Sequence, residues 1–463
     1  MTRELSLVFR RSFLKAAAGA AAAPFLKSAT NPPNIIFIYA DDLGYGDLGC
    51  YGSSLKTPNL DALAKEGALF RQFYSASPVC SPSRAALLTG RYPVRTGVPN
   101  VLQPSDTTGL DETETTMAQM LKGAGYRTAI YGKWHLGSQP KYLPNTRGFD
   151  EFYGLPYSND QAPSVLMRQG QVIETPVQLE TLTQRLTLGA VGFIRRNQAN
   201  PFFLYMAHTA PHQPLTPSAA FRGKSGMGLY GDTLLELDAS VGTLMSELKE
   251  LGLEQNTLVM FSSDNGPWFQ GSPGRLRGRK GDTFEGGMRE PFIARLPGVI
   301  PAGLEVKAMS STLDILPTVA NLAGAALPSG KLDGVDILPL LSGRAEKVVR
   351  EPFLYFSGYD LQAIRVGQWK LHISRANTPA YTPEPKVGYM NLKLTNPELY
   401  NVDRDPEEAV DLANENPEVV ASMQGMIKSL MPSLPGTVQA FWQATIGRPV
   451  LPNSSGSWPV PLQ

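Results

Sequence analysis

The chain has 463 residues, 42% of them hydrophobic and 18% charged, and a formal net charge of +1 at pH 7. That length allows a large core and two or three domains, while a charge near zero with no basic tract in the body gives nucleic acid no electrostatic hold. Pro (39) and Gly (44) are plentiful, which predicts long ordered loops on a rigid scaffold.

Residues 1–29 form a segment apart. FRRSFLKAAAGAAAAPFLKSA places Arg10 and Arg11 ahead of Phe13, Leu14 and Lys15 and an alanine-rich apolar run. A positive start, an apolar stretch of signal-peptide length and small residues from Ala23 to Ala29 read as an export signal, with the paired arginines of the twin-arginine type. The alternative is a membrane anchor. Residues 16–26 offer only 11 weakly apolar positions, against about 20 needed to span a bilayer, so no stable membrane insertion is expected. The expected location is periplasmic or secreted, reached through the twin-arginine translocation machinery. Without this segment, which carries five basic residues and one acidic, the chain stays close to neutral. An oxidising compartment leaves a Cys50–Cys80 disulfide as one reading of the two cysteines.

From Asn34, NIIFIYA is a short, continuous, β-branched apolar run, which fits a strand buried on both faces. TPNLDALAKEGALF (57–70) has helical spacing, with Thr57 as N-cap and Pro58 at the first helical position. Ser81, Pro82 and Ser83 cap and start a helix at SPSRAALLTG. A helix over 114–125 precedes a strand at RTAIYG (127–132), and a helical stretch near 180–197 precedes PFFLYMA (201–207). The long helix from about Tyr230 to Leu251 precedes TLVMFSSDNG (257–266). This alternation predicts an α/β fold with a large mixed, mostly parallel sheet flanked by helices. After residue 345 the texture changes to short strands separated by Gly and Asp turns, then one helix, NPEVVASMQGMIKSLM. The expected organisation is a signal (1–29), a catalytic domain (33–345), a smaller antiparallel α+β subdomain (346–447) and a Pro/Ser-rich tail (448–463).

In open α/β sheets, ligands bind beyond the carboxyl ends of the strands. Read one step past each strand, the chain offers Asp41 and Asp42, then Lys133, Trp134 and His135, then His208 and His212, then Asp264 and Asn265. Each motif alone has a bland explanation: an Asp pair is commonly a turn or cap, Asp-Asn-Gly is a common turn, and a lone His is commonly structural. Together they place three of the four histidines, and the carboxylates, at one expected sheet edge. Three carboxylates and an amide oxygen make a hard ligand set suited to calcium or magnesium, while the short His and Cys spacings of zinc sites are missing. RLRGRKGDTFEGGMREP (275–291) adds Arg277, Arg279 and Lys280 on a glycine-rich loop, either a cationic arm for an anionic substrate or a solvated charged loop. Cys80 stands at a helix start, where a thiolate would be stabilised.

Cys80-Ser81-Pro82-Ser83-Arg84, with Leu88-Thr89-Gly90-Arg91 behind it, resembles the sulfatase signature, C-x-P-x-R followed by T-G-R. Asp41-Asp42, Gly132-Lys133-Trp134-His135-Leu136-Gly137, Ala210-Pro211-His212, Asp264-Asn265-Gly266 and the Lys280–Gly287 block resemble further family blocks in the family's order, across residues 33–405. GLPYSNDQAP (154–163) is similar to the arylsulfatase A branch. The resemblance implies an alkaline-phosphatase-like fold, and a Cys80 oxidised to formylglycine (3-oxoalanine) by a formylglycine-generating enzyme. It implies calcium bound by Asp41, Asp42, Asp264, Asn265 and the modified Cys80. The hydrated aldehyde is a geminal diol: one hydroxyl attacks sulfur, and the other later loses its proton to expel sulfate. Arg84 and Lys133 would neutralise the sulfate, His135 would be the base, His212 and Lys280 would protonate the leaving alcohol, and Ser158 would contact substrate. It carries over no role for His208, and with Cys80 modified only Cys50 remains, as a buried free thiol. Because a twin-arginine route carries folded chains, Cys80 is expected to be oxidised in the cytoplasm before folding. A phosphodiesterase or phosphonate monoester hydrolase of the same superfamily, and a non-catalytic relative that binds sulfated glycans, are the competing readings. Whether the ester is an aryl or a carbohydrate sulfate is open at this point.

Overall fold

A computed structural model describes residues 32–375, 394 and 396–445. The export signal and the tail at 448–463 lie outside the described residues. An eleven-stranded sheet dominates, with ten strands in the order β10-β2-β9-β8-β1-β7-β3-β4-β5-β6 and β11 also paired to β2. The strands are β1 (Asn34–Ala40), β2 (Ala68–Tyr74), β3 (Arg127–Lys133), β4 (Glu151–Leu155), β5 (Leu166–Arg168), β6 (Gln171–Glu174), β7 (Phe202–Ala207), β8 (Thr257–Ser263), β9 (Arg289–Arg295), β10 (Leu304–Val306) and β11 (Ser310–Ser311). The centre is parallel: β1 pairs with β7 and β8, and β3 pairs with β7 and β4. β9 is antiparallel to both β8 and β2, so β2 points the same way as β8. β1 is buried along its whole length, as its unbroken apolar run predicts. One face carries the helices Pro58–Glu66, Leu182–Asn197 and Gly228–Glu250, and the other carries Cys80–Thr89, Met117–Gly123 and Ile315–Ala323.

A separate antiparallel sheet joins β12 (Phe353–Ser357), β13 (Asp360–Val366), β14 (Trp369–His372) and β15 (Glu398–Asn401), followed by helices Pro417–Leu430 and Gly436–Thr445. Its core includes Leu354, Phe356, Ile364 and Leu371, and packs on Tyr74, Ala86 and Met288 of the first part. Among the described residues no helix is long and apolar enough to cross a membrane.

Two local expectations change. The helix expected over 57–70 stops at Glu66, and β2 begins at Ala68. Gly67 is the reason: a Cβ there would lie 2.2 Å from the Ala294 carbonyl oxygen, so only glycine lets the chain turn against β9 and join the sheet. The helix after Cys80 starts at Cys80 itself, with Val79 as an extended N-cap that makes no side-chain cap bond. Ser81 does not cap it; its hydroxyl accepts from the Leu102 amide at 3.1 Å.

Candidate active site

The carboxyl ends of β1, β2, β3, β7 and β8 open on one edge because these strands run in the same direction. Backbone bonds fasten the residues past those ends: the Asp41 amide donates to Ala210 O at 3.0 Å, and the Asp264 amide to Ala40 O at 3.2 Å. Asp42 and His135 hold positive φ angles of 64° and 59°, strained positions for non-glycine residues that recur where function demands them.

The edge brings the sequence-derived residues together. Lys133 Nζ lies 2.7 Å from Asp41 Oδ2 and donates to the Ser158 hydroxyl at 3.0 Å. Arg84 donates to Asp264 Oδ2 through Nε at 3.1 Å and Nη2 at 2.7 Å, with Asp41 Oδ1 at 3.5 Å and the Tyr39 ring beneath its guanidinium. Asn265 Nδ2 donates to Asp42 Oδ1 at 2.8 Å, and Lys280 Nζ lies 2.8 Å from Asp42 Oδ2. Cys80 Sγ is 3.7 Å from Asp41 Oδ1. His212 Nε2 stands 3.5 Å from Asp42 Oδ2, with its Nδ1 donating to Gln213 O at 2.6 Å.

These contacts set the charges. Burial favours a neutral Asp41, but Lys133, His212, Arg84 and Lys280 outweigh it and hold its carboxyl well below the usual range. Burial pushes the Cys80 thiol up to about 12 despite Lys133 and Lys280, so the helix-start thiolate is not formed at neutral pH. Burial, then Lys133, keeps His135 well below the usual histidine range, hence neutral. Its Nε2 contacts the Leu102 carbonyl at 2.9 Å, and a carbonyl only accepts, so the proton is on Nε2. Nδ1 is left buried with a free lone pair, which is the arrangement of a base.

A cation has a place here. Ligand atoms of Asp41, Asp42, Cys80 and His212 all lie within 4.8 Å of one another. Asn265 Oδ1 is buried with no hydrogen-bond partner in the protein, and burial together with the charge of Asp41 raises Asp264 to about 7. An orphaned amide oxygen and a carboxylate still short of positive charge suit a hard divalent ion. Asp264 is engaged on both oxygens, since Oδ2 serves Arg84 and Oδ1 accepts the Asp42 amide at 3.1 Å.

Other expectations resolve differently. Cys50 and Cys80 are both free thiols, so the disulfide reading is set aside, and Cys50 is half-buried. Arg277 and Arg279 do not reach the carboxylates: Arg277 donates to Glu408 O at 2.9 Å, and Arg279 to Trp268 O and Gly271 O at 3.0 and 2.7 Å. His208 is fully buried beside Ser240 of the Gly228–Glu250 helix, a structural position. Sequence reasoning missed the Leu102 carbonyl that fixes the His135 tautomer, because a backbone oxygen leaves no trace in residue type. It also missed Glu290, a fully buried carboxyl with both oxygens unpartnered, kept protonated by burial and by Asp264, Asp42 and Asp47.

Residues 33–325 match the family model described as Sulfatase, and residues 348–459 match the C-terminal region of aryl-sulfatase. The chain is 41% identical to arylsulfatase A of Homo sapiens over 443 residues, covering 86% of this chain and 87% of the human one. It is 44% identical to N-acetylgalactosamine-6-sulfatase of Sus scrofa over 379 residues, covering 74% and 72%. A solved structure from Bacteroides thetaiotaomicron, described in connection with the metabolism of multiple glycosaminoglycans, superposes with a TM-score of 0.79 at 31% identity, covering 87% of this chain and 99% of that one. A catalytic-region match running into a C-terminal match, and relatives this similar along most of both chains, place the chain in the sulfatase family, as a sulfuric ester hydrolase.

Proposed function

We propose that the protein hydrolyses sulfate monoesters of aryl or carbohydrate alcohols at the edge that gathers Cys80, Asp41, Asp42, Lys133, His135, His212 and Lys280. The observation that carries this reading is a contrast in exposure. The side chains of Arg84, Lys133, Asp41 and Asp264 are fully buried, whereas His212 and Lys280 keep 9% and 12% of theirs open to solvent. A sulfate seated among the buried cations turns its ester oxygen towards the two groups able to hand it a proton.

Arg84 and Lys133 are desolvated and already oriented, so they neutralise sulfate charge without reorganising. His135 accepts a proton at Nδ1 while Leu102 holds its other nitrogen. His212 and Lys280 protonate the departing alcohol, and the Ser158 hydroxyl, fixed by Lys133, contacts the substrate. A thiol held protonated near 12 is a poor nucleophile. As formylglycine, residue 80 would supply a hydrated aldehyde with one hydroxyl for attack and a second for release of the product. Calcium held by Asp41, Asp42, Asp264, Asn265 and residue 80 would supply a fixed divalent charge, and magnesium suits these oxygens less because it demands stricter octahedral geometry.

The composition of residues 1–29 supports export through the twin-arginine machinery to the periplasm or beyond. That route carries folded chains, and Cys80 is 2% exposed when folded, so a formylglycine-generating enzyme acts in the cytoplasm before folding. The division proposed is a catalytic part at 33–345, a C-terminal part at 346–447 and a tail at 448–463.

Exported protein should turn over an aryl sulfate faster than an aryl phosphodiester and lose turnover in Cys80→Ala. Mass spectrometry of the peptide containing residue 80 should give the formylglycine mass. Preference for the phosphodiester would move the assignment to a phosphodiesterase or phosphonate monoester hydrolase. Sulfated-glycan binding with no release of sulfate from the glycan and no turnover of either ester would make the protein a binding relative. An unmodified thiol in active protein ends the formylglycine reading.

A further inference from the structure

Lys280 reaches Asp42 from a loop, residues 275–288, one side of which is held by the C-terminal part of the chain. Arg277 donates to the Glu408 carbonyl at 2.9 Å and to the Tyr400 hydroxyl at 3.4 Å. The Thr283 hydroxyl donates to Gln362 Oε1 at 2.9 Å, and the Glu285 amide to Glu408 Oε2 at 2.6 Å. The Glu285 carboxylate takes Lys370 Nζ at 3.0 Å and the Tyr74 hydroxyl at 2.5 Å, with Arg289 at 3.4 Å. Glu408 Oε1 in turn meets Lys370 Nζ at 3.1 Å and His372 Nε2 at 2.7 Å. Glu285, Lys370, His372 and Glu408 all have fully buried side chains.

The other side of the loop grips the active-site segments. The Gly281 amide donates to Pro78 O at 2.8 Å, two residues before Cys80. The Lys280 amide donates to Pro267 O at 3.1 Å, two residues past Asn265, and the Gly266 amide donates to Gly287 O at 3.0 Å. One loop therefore connects a buried ionic cluster to both walls of the candidate site.

Buried ion pairs add little net stability over apolar side chains of the same volume, because desolvation offsets the attraction; their best-attested use is to fix one arrangement among several. An apolar contact at this place would tolerate a shifted loop, whereas Glu408 between Lys370, His372 and the Glu285 amide admits one register. We propose that Glu408, Lys370 and His372 are positioning residues for catalysis, holding the 275–288 loop so that Lys280 stands on the leaving-group side of the sulfate. This rests on the sulfatase reading, in which Lys280 donates a proton.

The test uses leaving-group dependence, which a general loss of folded protein does not change. Glu408→Gln keeps the shape of the side chain. The double variant Lys370→Met/Glu408→Gln removes one positive and one negative charge together, leaving Glu285 with Arg289 and Tyr74. Full-length wild type and variants are assayed on para-nitrophenyl sulfate, whose phenolate leaves unaided, and on para-methoxyphenyl sulfate, whose poorer leaving group needs the proton. In the variants, kcat on the methoxy ester should fall by about tenfold or more while kcat on the nitro ester falls by less than about threefold, with KM little changed. Lys280→Met should give the same split. Equal losses on both esters, or no loss on either, overturn the proposal and leave the cluster a structural joint. A wild type that releases sulfate from neither ester nor from sulfated monosaccharides overturns the sulfatase reading, and this inference with it.

Discussion

Lys133 and Ser158 are a hydrogen bond apart, yet their weights differ. Lys133 is a full charge in a dry site, and removing such a group typically costs about 10²–10³ in kcat, so Lys133→Met should lose that much in steady-state turnover. Ser158 contributes one neutral hydrogen bond, about 1 kcal/mol, so Ser158→Ala should lose less than about tenfold. As the proposed base, His135 would set the acid limb. Burial and Lys133 depress its pKa, and the base works only when neutral, so activity persists as the pH falls through the ordinary histidine range and is lost only below it. A kcat profile still flat at about pH 6 is the expected result, and a midpoint near 6.5 would contradict it. At this scale much was legible, because Asp41, Asp42, Cys80, Lys133, His135 and Asp264 are chemically distinctive side chains in recognisable blocks. The Leu102 carbonyl and the protonated Glu290 were not, since the first has no side-chain signal and the second depends on burial.

Strand β7 leads into two histidines with opposite surroundings. His212 stands at the opening, while His208 is shut in beside Ser240, and burial brings it down to about 4. The unfolded chain, with a pKa near 6.5, binds the proton that folded His208 refuses. The stability this gives is present above about pH 6.5 and is lost as the pH falls through about 4, by up to about 3 kcal/mol. His208→Gln cannot titrate, so its urea midpoint should drop less than the wild type's between about pH 7.5 and about pH 4.5; equal drops would refute the assignment. β1, β3, β7 and β8 could be read from the sequence because central parallel strands are continuous apolar runs. β2 was hidden by helical spacing up to Gly67, and β9 by the polar start of REPFIAR, a pattern that makes sense only beside Tyr74 and Asp264.

Across the whole molecule, the carboxylates of Asp41, Asp42 and Asp264 join two strands whose ends lie 222 residues apart in the sequence, so a cation bound there stabilises only the folded chain. Dialysis against a chelator should lower the thermal midpoint and added calcium should restore it, more than magnesium does. Cys80→Ala should still respond, because most of the oxygen ligands remain. A midpoint indifferent to both chelator and calcium would remove the metal from the proposal. The free Cys50 and Cys80 leave the described fold without a disulfide, so its stability rests on the two cores flanking the large sheet and the third beneath β12–β15.

The sequence by itself determined the alternation of strands and helices, the chemistry at the strand ends and the family blocks, because periodicity and motif spacing are local properties of the chain. Only the tertiary structure decided that Lys280 reaches Asp42 across 238 residues while Arg277 and Arg279 turn away. It alone decided that Lys133 is dry while His212 and Lys280 keep a small opening to solvent, and that the C-terminal part grips the loop of Lys280. Burial, charge state and long-range pairing follow from which surfaces close on one another, and no local pattern encodes that closure.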